Sequence, residues 1–208
     1  MNIGHHDIAA ELAAISRSFC GRGWALGTSG NFSAVLTREP LRLAITPSGA
    51  DKGELNADQI LEIGINEAGD PSRKASAEAL LHINVVLSRG AGAVLHTHSV
   101  WSTIVSSLHA PAGAIMIEGF EMLKGLEGVR SHQHRESLPI VENSQDIREL
   151  AEKVTRILKE YPNAHGFLLR QHGLYTWGAN LAQAKRHVEV LEFLLETVGR
   201  LHSMKPNP

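Results

Sequence analysis

The run Ala91-Gly92-Ala93-Val94-Leu95 ends at His96-Thr97-His98, and no other stretch of the chain restricts the fold as tightly. Small and β-branched apolar residues followed by a polar break read as a short buried strand. Side chains at i and i+2 of a strand share a face, so both imidazoles leave the strand end side by side. A second apolar run, Gly166-Phe167-Leu168-Leu169, leads into Arg170-Gln171-His172-Gly173 and offers a third imidazole. Three His on strand ends with no Cys nearby suit a catalytic Zn²⁺ with an open position, whereas structural zinc sites close with four protein ligands. The other reading of an isolated His-x-His pair is two internally satisfied core histidines.

Helical and strand patterns alternate around these runs. Ile8, Leu12, Ile15 and Phe19 predict a helix over 6–22, stopped at Gly21 and Gly23. Phe32 to Thr37 and Leu41 to Thr46 read as paired strands, broken by Pro47-Ser48-Gly49. Ser76 is placed to cap a helix running to Arg89. A short helix is expected over 99–108, and an amphipathic one over 147–161 with Leu150, Val154 and Leu158 on its stripe. Leu168 to Trp177 reads as a strand pair interrupted at His172. Leu181 to Leu201 reads as a long closing helix with Val188, Leu191, Leu195 and Val198 inward. This mixture points to an α/β layered domain.

At 208 residues the chain is expected to form one domain with a full core. A formal net charge of -2 gives no global attraction to nucleic acid or an anionic membrane. The apolar runs are far shorter than a membrane span. The single Cys20 cannot form an internal disulfide, and the chain opens without a leader pattern, so an intracellular setting is expected.

Two loops of small residues could cradle an anion: Gly27-Thr28-Ser29-Gly30-Asn31 and Thr46-Pro47-Ser48-Gly49. Their successive backbone N–H groups and hydroxyls suit a phosphate, although a Gly/Ser turn is often only a turn. Neither matches a P-loop, and Gly90-Ala91-Gly92 does not extend to a dinucleotide fingerprint. Glu118 and Glu121 lie in an apolar segment, where partial burial is expected to raise carboxylate basicity. Glu78 reads either as a helix N-terminal charge or as a metal-proximal carboxylate. The second pair, His132 and His134, lies in a polar stretch and is expected in a solvated or outer loop.

The motifs Gly27-Thr28-Ser29-Gly30-Asn31-Phe32-Ser33, Ile45-Thr46-Pro47-Ser48-Gly49, Ser76-Ala77-Glu78 through His82, His96-Thr97-His98-Ser99 and Gln171-His172-Gly173 together resemble the class II, zinc-dependent aldolase family of sugar-phosphate enzymes. Within it, Glu121-Met122-Leu123-Lys124-Gly125 and the segment 170–178 resemble the family's dehydratases more than its aldolases or 4-epimerases. The resemblance implies a three-layer α/β/α fold with a central, mainly antiparallel sheet, spanning residues 1–208 as one catalytic domain. It implies one Zn²⁺ per subunit on His96, His98 and His172, with Glu121 as the acid/base carboxylate. Ser29, Gly30, Asn31, Ser48, Gly49 and Ser76 are implied as phosphate-binding residues, and Glu78 as a ligand or base whose role stays open. Ala77 stands where the aldolases have a second Ser. A ketose-phosphate substrate, a cytoplasmic homotetramer and active sites between subunits, with Glu121 serving its own or a neighbour's zinc, complete what the resemblance implies.

Overall fold

The computed structural model describes residues 4–67, 75, 76 and 78–204. Helix α1 (His5–Gly21) is followed by strands β1 (Asn31–Arg38), β2 (Leu41–Ile45) and β3 (Leu61–Gly64). Helix α2 (Ala79–Arg89), strand β4 (Ala93–Thr97) and helix α3 (Val100–His109) come next. Strands β5 (Ala114–Ile117) and β6 (Glu136–Val141), helix α4 (Ile147–Glu160), strands β7 (Gly166–Leu169) and β8 (Gly173–Gly178), and helix α5 (Leu181–Ser203) complete the order.

All eight strands form one sheet in the order β3-β2-β1-β4-β8-β7-β6-β5. Every neighbouring pair is antiparallel except β6 with β7. Strand alternation divides the core. Leu43, Ile45, Val94, Phe167, Tyr175 and Trp177 pack under α2 and α4. Their neighbours Ala44, Leu95, Leu168 and Leu174 face α1, α3 and α5. Helices on both faces of a mostly antiparallel sheet make the three layers expected.

The strongly periodic helices fall within a residue or two of their sequence limits. Ser99 accepts from the Ser102 N–H as the cap of α3, and Asn180 accepts from the Gln183 N–H as the cap of α5. Ser76 departs from expectation: α2 begins at Ala79, and the Ser76 hydroxyl accepts instead from the Glu78 N–H at 3.2 Å. Strands β3, β5 and β6 go beyond the elements that the sequence pattern predicts. β5 and β6 flank the polar stretch around His132, and their short runs are interrupted by Met116, Ser137 and Pro139. Ala77 lies outside the described residues.

β4 is central, with β1 on one side and β8 on the other. Its residues 93–97 are all buried. Gly173 lets β8 approach it: a Cβ there would lie 2.0 Å from the Thr97 carbonyl oxygen and 3.0 Å from the His96 ring. Gly173→Ala is therefore expected to destabilise the protein by about 1–3 kcal/mol, the usual cost of overpacking, read as a lower urea midpoint. Gly21→Ala, which has open space around its added methyl, is the control and should be neutral or slightly stabilising because it replaces glycine in a helix.

Candidate functional site

The alternation of β4 sends His96 towards α2 and Thr97 towards α5. His96 Nδ1 donates to the Leu174 carbonyl oxygen at 3.0 Å, because a carbonyl can only accept. That bond fixes the tautomer and leaves Nε2 as a bare lone pair. Tyr175 stacks on the same ring, with centroids 3.8 Å apart and planes 13° from parallel. His98 lies just past the strand end, held by its backbone N–H on the Trp24 carbonyl at 2.7 Å. His172 is presented by the turn between β7 and β8. There Gln171 adopts a left-handed φ of 55°, and its N–H donates to the Ser106 hydroxyl of α3 at 3.0 Å. A non-glycine residue in that region carries strain that its surroundings must overcome.

The three Nε2 atoms converge. His98 Nε2 lies 2.8 Å and His172 Nε2 3.4 Å from His96 Nε2. Tetrahedral zinc with bonds of 2.0–2.1 Å separates neighbouring nitrogens by roughly 3.3–3.4 Å, so small rotations would fit these imidazoles around one ion. The Glu78 carboxylate stands beside them, 3.6 Å from His96 Nε2 and 3.5 Å from His172 Nε2. His172 Nδ1 is buried without a hydrogen-bond partner. Burial, reinforced by His98 and His172, holds the His96 pKa well below the ordinary imidazole value. Burial, with His172 and Lys52 adding to it, lowers His98 to about 4. Both rings are therefore neutral at pH 7, as a metal requires of its imidazole ligands.

A relay of polar groups positions Glu78. Asn31 Nδ2 donates to Glu78 Oε2 at 2.6 Å, the Asn31 carbonyl oxygen meets His82, and the other His82 nitrogen contacts the Ser33 hydroxyl at 2.7 Å. His82 is fully buried in α2, and burial lowers its pKa to about 3. On the opposite face, Thr97 donates its hydroxyl to Glu192 of α5. Burial raises the Glu192 pKa to about 7. Sequence reasoning missed Glu192, although it breaks the inward stripe of Val188, Leu191 and Leu195 in α5.

Ser29, Gly30, Asn31, Ser48, Gly49, Ser76, Glu78, His98 and His172 line one pocket of about 190 Å³. The glycine at 30 is required, since its φ is +74° and a Cβ would lie 2.8 Å from the His96 carbonyl. Lys52, which sequence reasoning passed over, also lines this pocket. Its residue is only 1% exposed, its ammonium donates to the Thr28 and Ala50 carbonyls, and burial lowers its pKa. The anion loops thus carry a cation as well as neutral donors. The signal was a Lys three residues after Gly49 of the Pro47-Ser48-Gly49 turn.

Glu121 is not brought to this pocket. It begins the 3₁₀ turn Glu121–Gly125, with its side chain 69% exposed. Lys124 lies 2.6 Å from one of its oxygens, and His132 3.4 Å from the other. The expected rise in basicity is overturned: the Lys124 hydrogen bond and charge, aided by His132, lower its pKa. The apolar neighbours are satisfied elsewhere, with Leu123 turned into the core, so they do not desolvate the carboxylate. Glu118 is likewise exposed and paired with Arg135. His132 is solvated as expected, whereas His134 turns in against Glu136.

The model of the class II aldolase and adducin N-terminal domain matches residues 10–198. The methylthioribulose-1-phosphate dehydratase of Methylococcus capsulatus is 42% identical over 198 residues, covering 95% of each chain. The enzyme of that name from Pseudomonas fluorescens is 41% identical over 198 residues, covering 94% of each. Among solved structures, YgbL from Escherichia coli superposes with a TM-score of 0.78 at 24% identity, over 98% of this chain and 93% of that one. L-fuculose-1-phosphate aldolase from Thermus thermophilus gives 0.75 at 21% identity, over 98% and 100%. These structural likenesses show the fold.

Replacing His96, His98 or His172 with Ala is expected to strip the ion from this site, because a three-ligand centre does not tolerate losing one. His132→Ala is expected to leave it in place. Metal analysis of the purified, untagged proteins checks both. Lys52→Met should keep the metal but weaken inhibition by inorganic phosphate roughly tenfold to a hundredfold, the worth of about 1.5–3 kcal/mol for a charged hydrogen bond.

Proposed function

Since the chain belongs to the class II aldolase and adducin family, we propose that it is a sugar-phosphate hydro-lyase that dehydrates 5-methylthioribulose 1-phosphate to 2,3-diketo-5-methylthiopentyl 1-phosphate. Its relatives at about 40% identity over almost the whole chain bear the name of that activity. The observation that carries the chemistry is the convergence of three Nε2 atoms beside a pocket built for an anion. The methylthio substituent assigns the reaction to methionine salvage. We assign the enzyme to the cytoplasm; no helix of the described residues is long and apolar enough to cross a membrane.

The substrate has a ketone at C2, a proton at C3 and a hydroxyl at C4. Zinc held by His96, His98 and His172 would supply Lewis-acid polarisation of the ketone, worth several kcal/mol. Ser29, Gly30, Asn31, Ser48, Gly49 and Ser76 hold the phosphate, and Lys52 supplies its countercharge. Binding energy gathered there, away from the reacting carbons, fixes their register. Glu121 takes the C3 proton and returns one to the departing C4 hydroxyl; water leaves, and the enol product tautomerises to the 2,3-diketone. The lowered pKa of Glu121 keeps it in the basic form that the first step needs. Because Glu121 projects outward from its own chain, it acts in the site of a neighbouring subunit of a homotetramer.

Glu78 favours a second reading. A carboxylate 3.5–3.6 Å from two of the imidazoles also suits the base of a class II sugar-phosphate aldolase or 4-epimerase, in which the retro-aldol step breaks a carbon–carbon bond.

Incubation of the zinc-loaded enzyme with the ketose phosphate separates the two by product: diketone absorbance for dehydration, aldehyde release for cleavage. Glu121→Gln should retain fold, tetramer and metal while lowering turnover by about 10² to 10⁴, the usual worth of a positioned acid/base group. Aldehyde release by the wild type, or undiminished turnover in Glu121→Gln, would return the chemistry to Glu78 and the lyase reading.

A further inference from the structure

We propose that His134, Glu136 and His165 form a second binding site for a zinc-class divalent cation, at the opposite end of the sheet from the first. Nothing in the dehydration chemistry uses these residues. β7 runs from Gly166 to Leu169, so His165 precedes its first residue while His172 follows its last. Glu136 opens β6, which pairs with β7 in parallel, so the starts of the two strands lie at the same edge. His134 stands two residues before Glu136, at the spacing that turns both side chains to one side.

The donor atoms are already gathered. His134 Nε2 and His165 Nδ1 each lie 2.9 Å from Glu136 Oε2, and one ligand atom from each residue falls within 4.8 Å of the others. Glu136 is 1% exposed, and its second oxygen accepts the His165 backbone N–H at 2.9 Å. The tautomer of His165 decides what this arrangement can hold. Its Nε2 lies 2.9 Å from the Glu127 carbonyl oxygen, which can only accept, so Nε2 carries a proton. In the neutral ring Nδ1 is then a bare lone pair, facing a carboxylate oxygen at hydrogen-bond distance. Two acceptors face each other stably only with a proton or a metal ion between them. Against the effect of burial, the Glu136 hydrogen bond and charge raise the His165 pKa, so a proton holds the position until a metal displaces it.

A proton there would make His165 an imidazolium and leave His134 as a separate donor. A metal ion draws on all three groups at once. It also accounts for the backbone carbonyl on the far side of the His165 ring, the usual partner of a metal-bound imidazole. Two imidazoles and a carboxylate with borderline hardness suit zinc, and they leave a coordination position open. The open side faces a cleft of about 630 Å³, lined by His134, His165, His187, Glu127, Gln183 and Trp177. His187 is not a ligand. Its Nδ1 donates to the Trp177 carbonyl at 2.7 Å, and its Nε2 accepts the Glu127 N–H at 3.1 Å.

Metal stoichiometry tests the site independently of catalysis. The full-length protein, stripped by chelator and checked for cooperative unfolding, is titrated with Zn²⁺ by calorimetry and with Co²⁺ by visible absorption. Two equivalents are expected for the wild type and one for the His96→Ala/His98→Ala variant. One is also expected for His134→Ala, which removes a ring whose side chain is 30% exposed and should preserve both fold and dehydratase turnover. Glu136→Gln should lose the same equivalent, and if that variant fails to fold His134→Ala decides alone. A wild type that saturates at one equivalent, a His96→Ala/His98→Ala variant that binds none, or a second equivalent that persists in His134→Ala overturns the proposal.

Discussion

Strand β4 ends in two imidazoles on one face because it is paired along both edges, Asn31 opposite His96 on β1 and Tyr175 opposite His96 on β8. The β8 pairing brings the Leu174 carbonyl to His96 Nδ1, and the same pairing lays the Tyr175 ring over the imidazole. The β1 pairing brings Asn31 to Glu78. One register therefore sets the tautomer of the central ring, its tilt and the carboxylate beside it. A slip of one residue in either pair would exchange His96 for Thr97 and turn the ligand face towards α5. Gly30 and Gly173 allow this register, since each admits a backbone carbonyl of β4 where a methyl would collide.

The electrostatics follow from the same enclosure. Neutral imidazoles are ready to bind a cation because burial penalises their protonation, and Lys52 nearby adds to that penalty at His98. Lys52 itself stays inside because carbonyls from two loops solvate its ammonium. A buried ammonium and imidazole lone pairs thus share one small pocket, each held by its own backbone carbonyls or packing.

Much of this was legible in the sequence where one period dominated. His96 and His98 were found because strand alternation is a strict rule over a short apolar run, and α4 and α5 because their stripes are long. β5 and β6 were hidden by brevity and by Ser137 and Pro139, which weaken a strand pattern although the edge position of β5 and the pairing of β6 tolerate them. Glu121 has apolar neighbours in sequence, yet a 3₁₀ turn sends Leu123 inward and Glu121 outward. Lys52 and Glu192 each leave a local mark, a charge after a tight turn and a break in an apolar stripe, but their partners Thr28 and Thr97 lie far away in the chain. His134 looked like a loop residue, and only the β6–β7 pairing reveals its proximity to His165.

The parallel pairing of β6 and β7 makes the two ends of β7 depend on connections of very different length. The His172 end closes through the short turn Arg170-Gln171-His172, a local event in a growing or refolding chain. The Glu136–His165 end closes only when the long crossover carrying α4 has been laid across the sheet and docked against α2, which is a non-local and slower contact. The hairpin that presents His172 needs only the β7–β8 turn to close. The β6–β7 pairing therefore ties the Glu136–His165 end to the placement of α4, while the His172 end depends on a short turn alone.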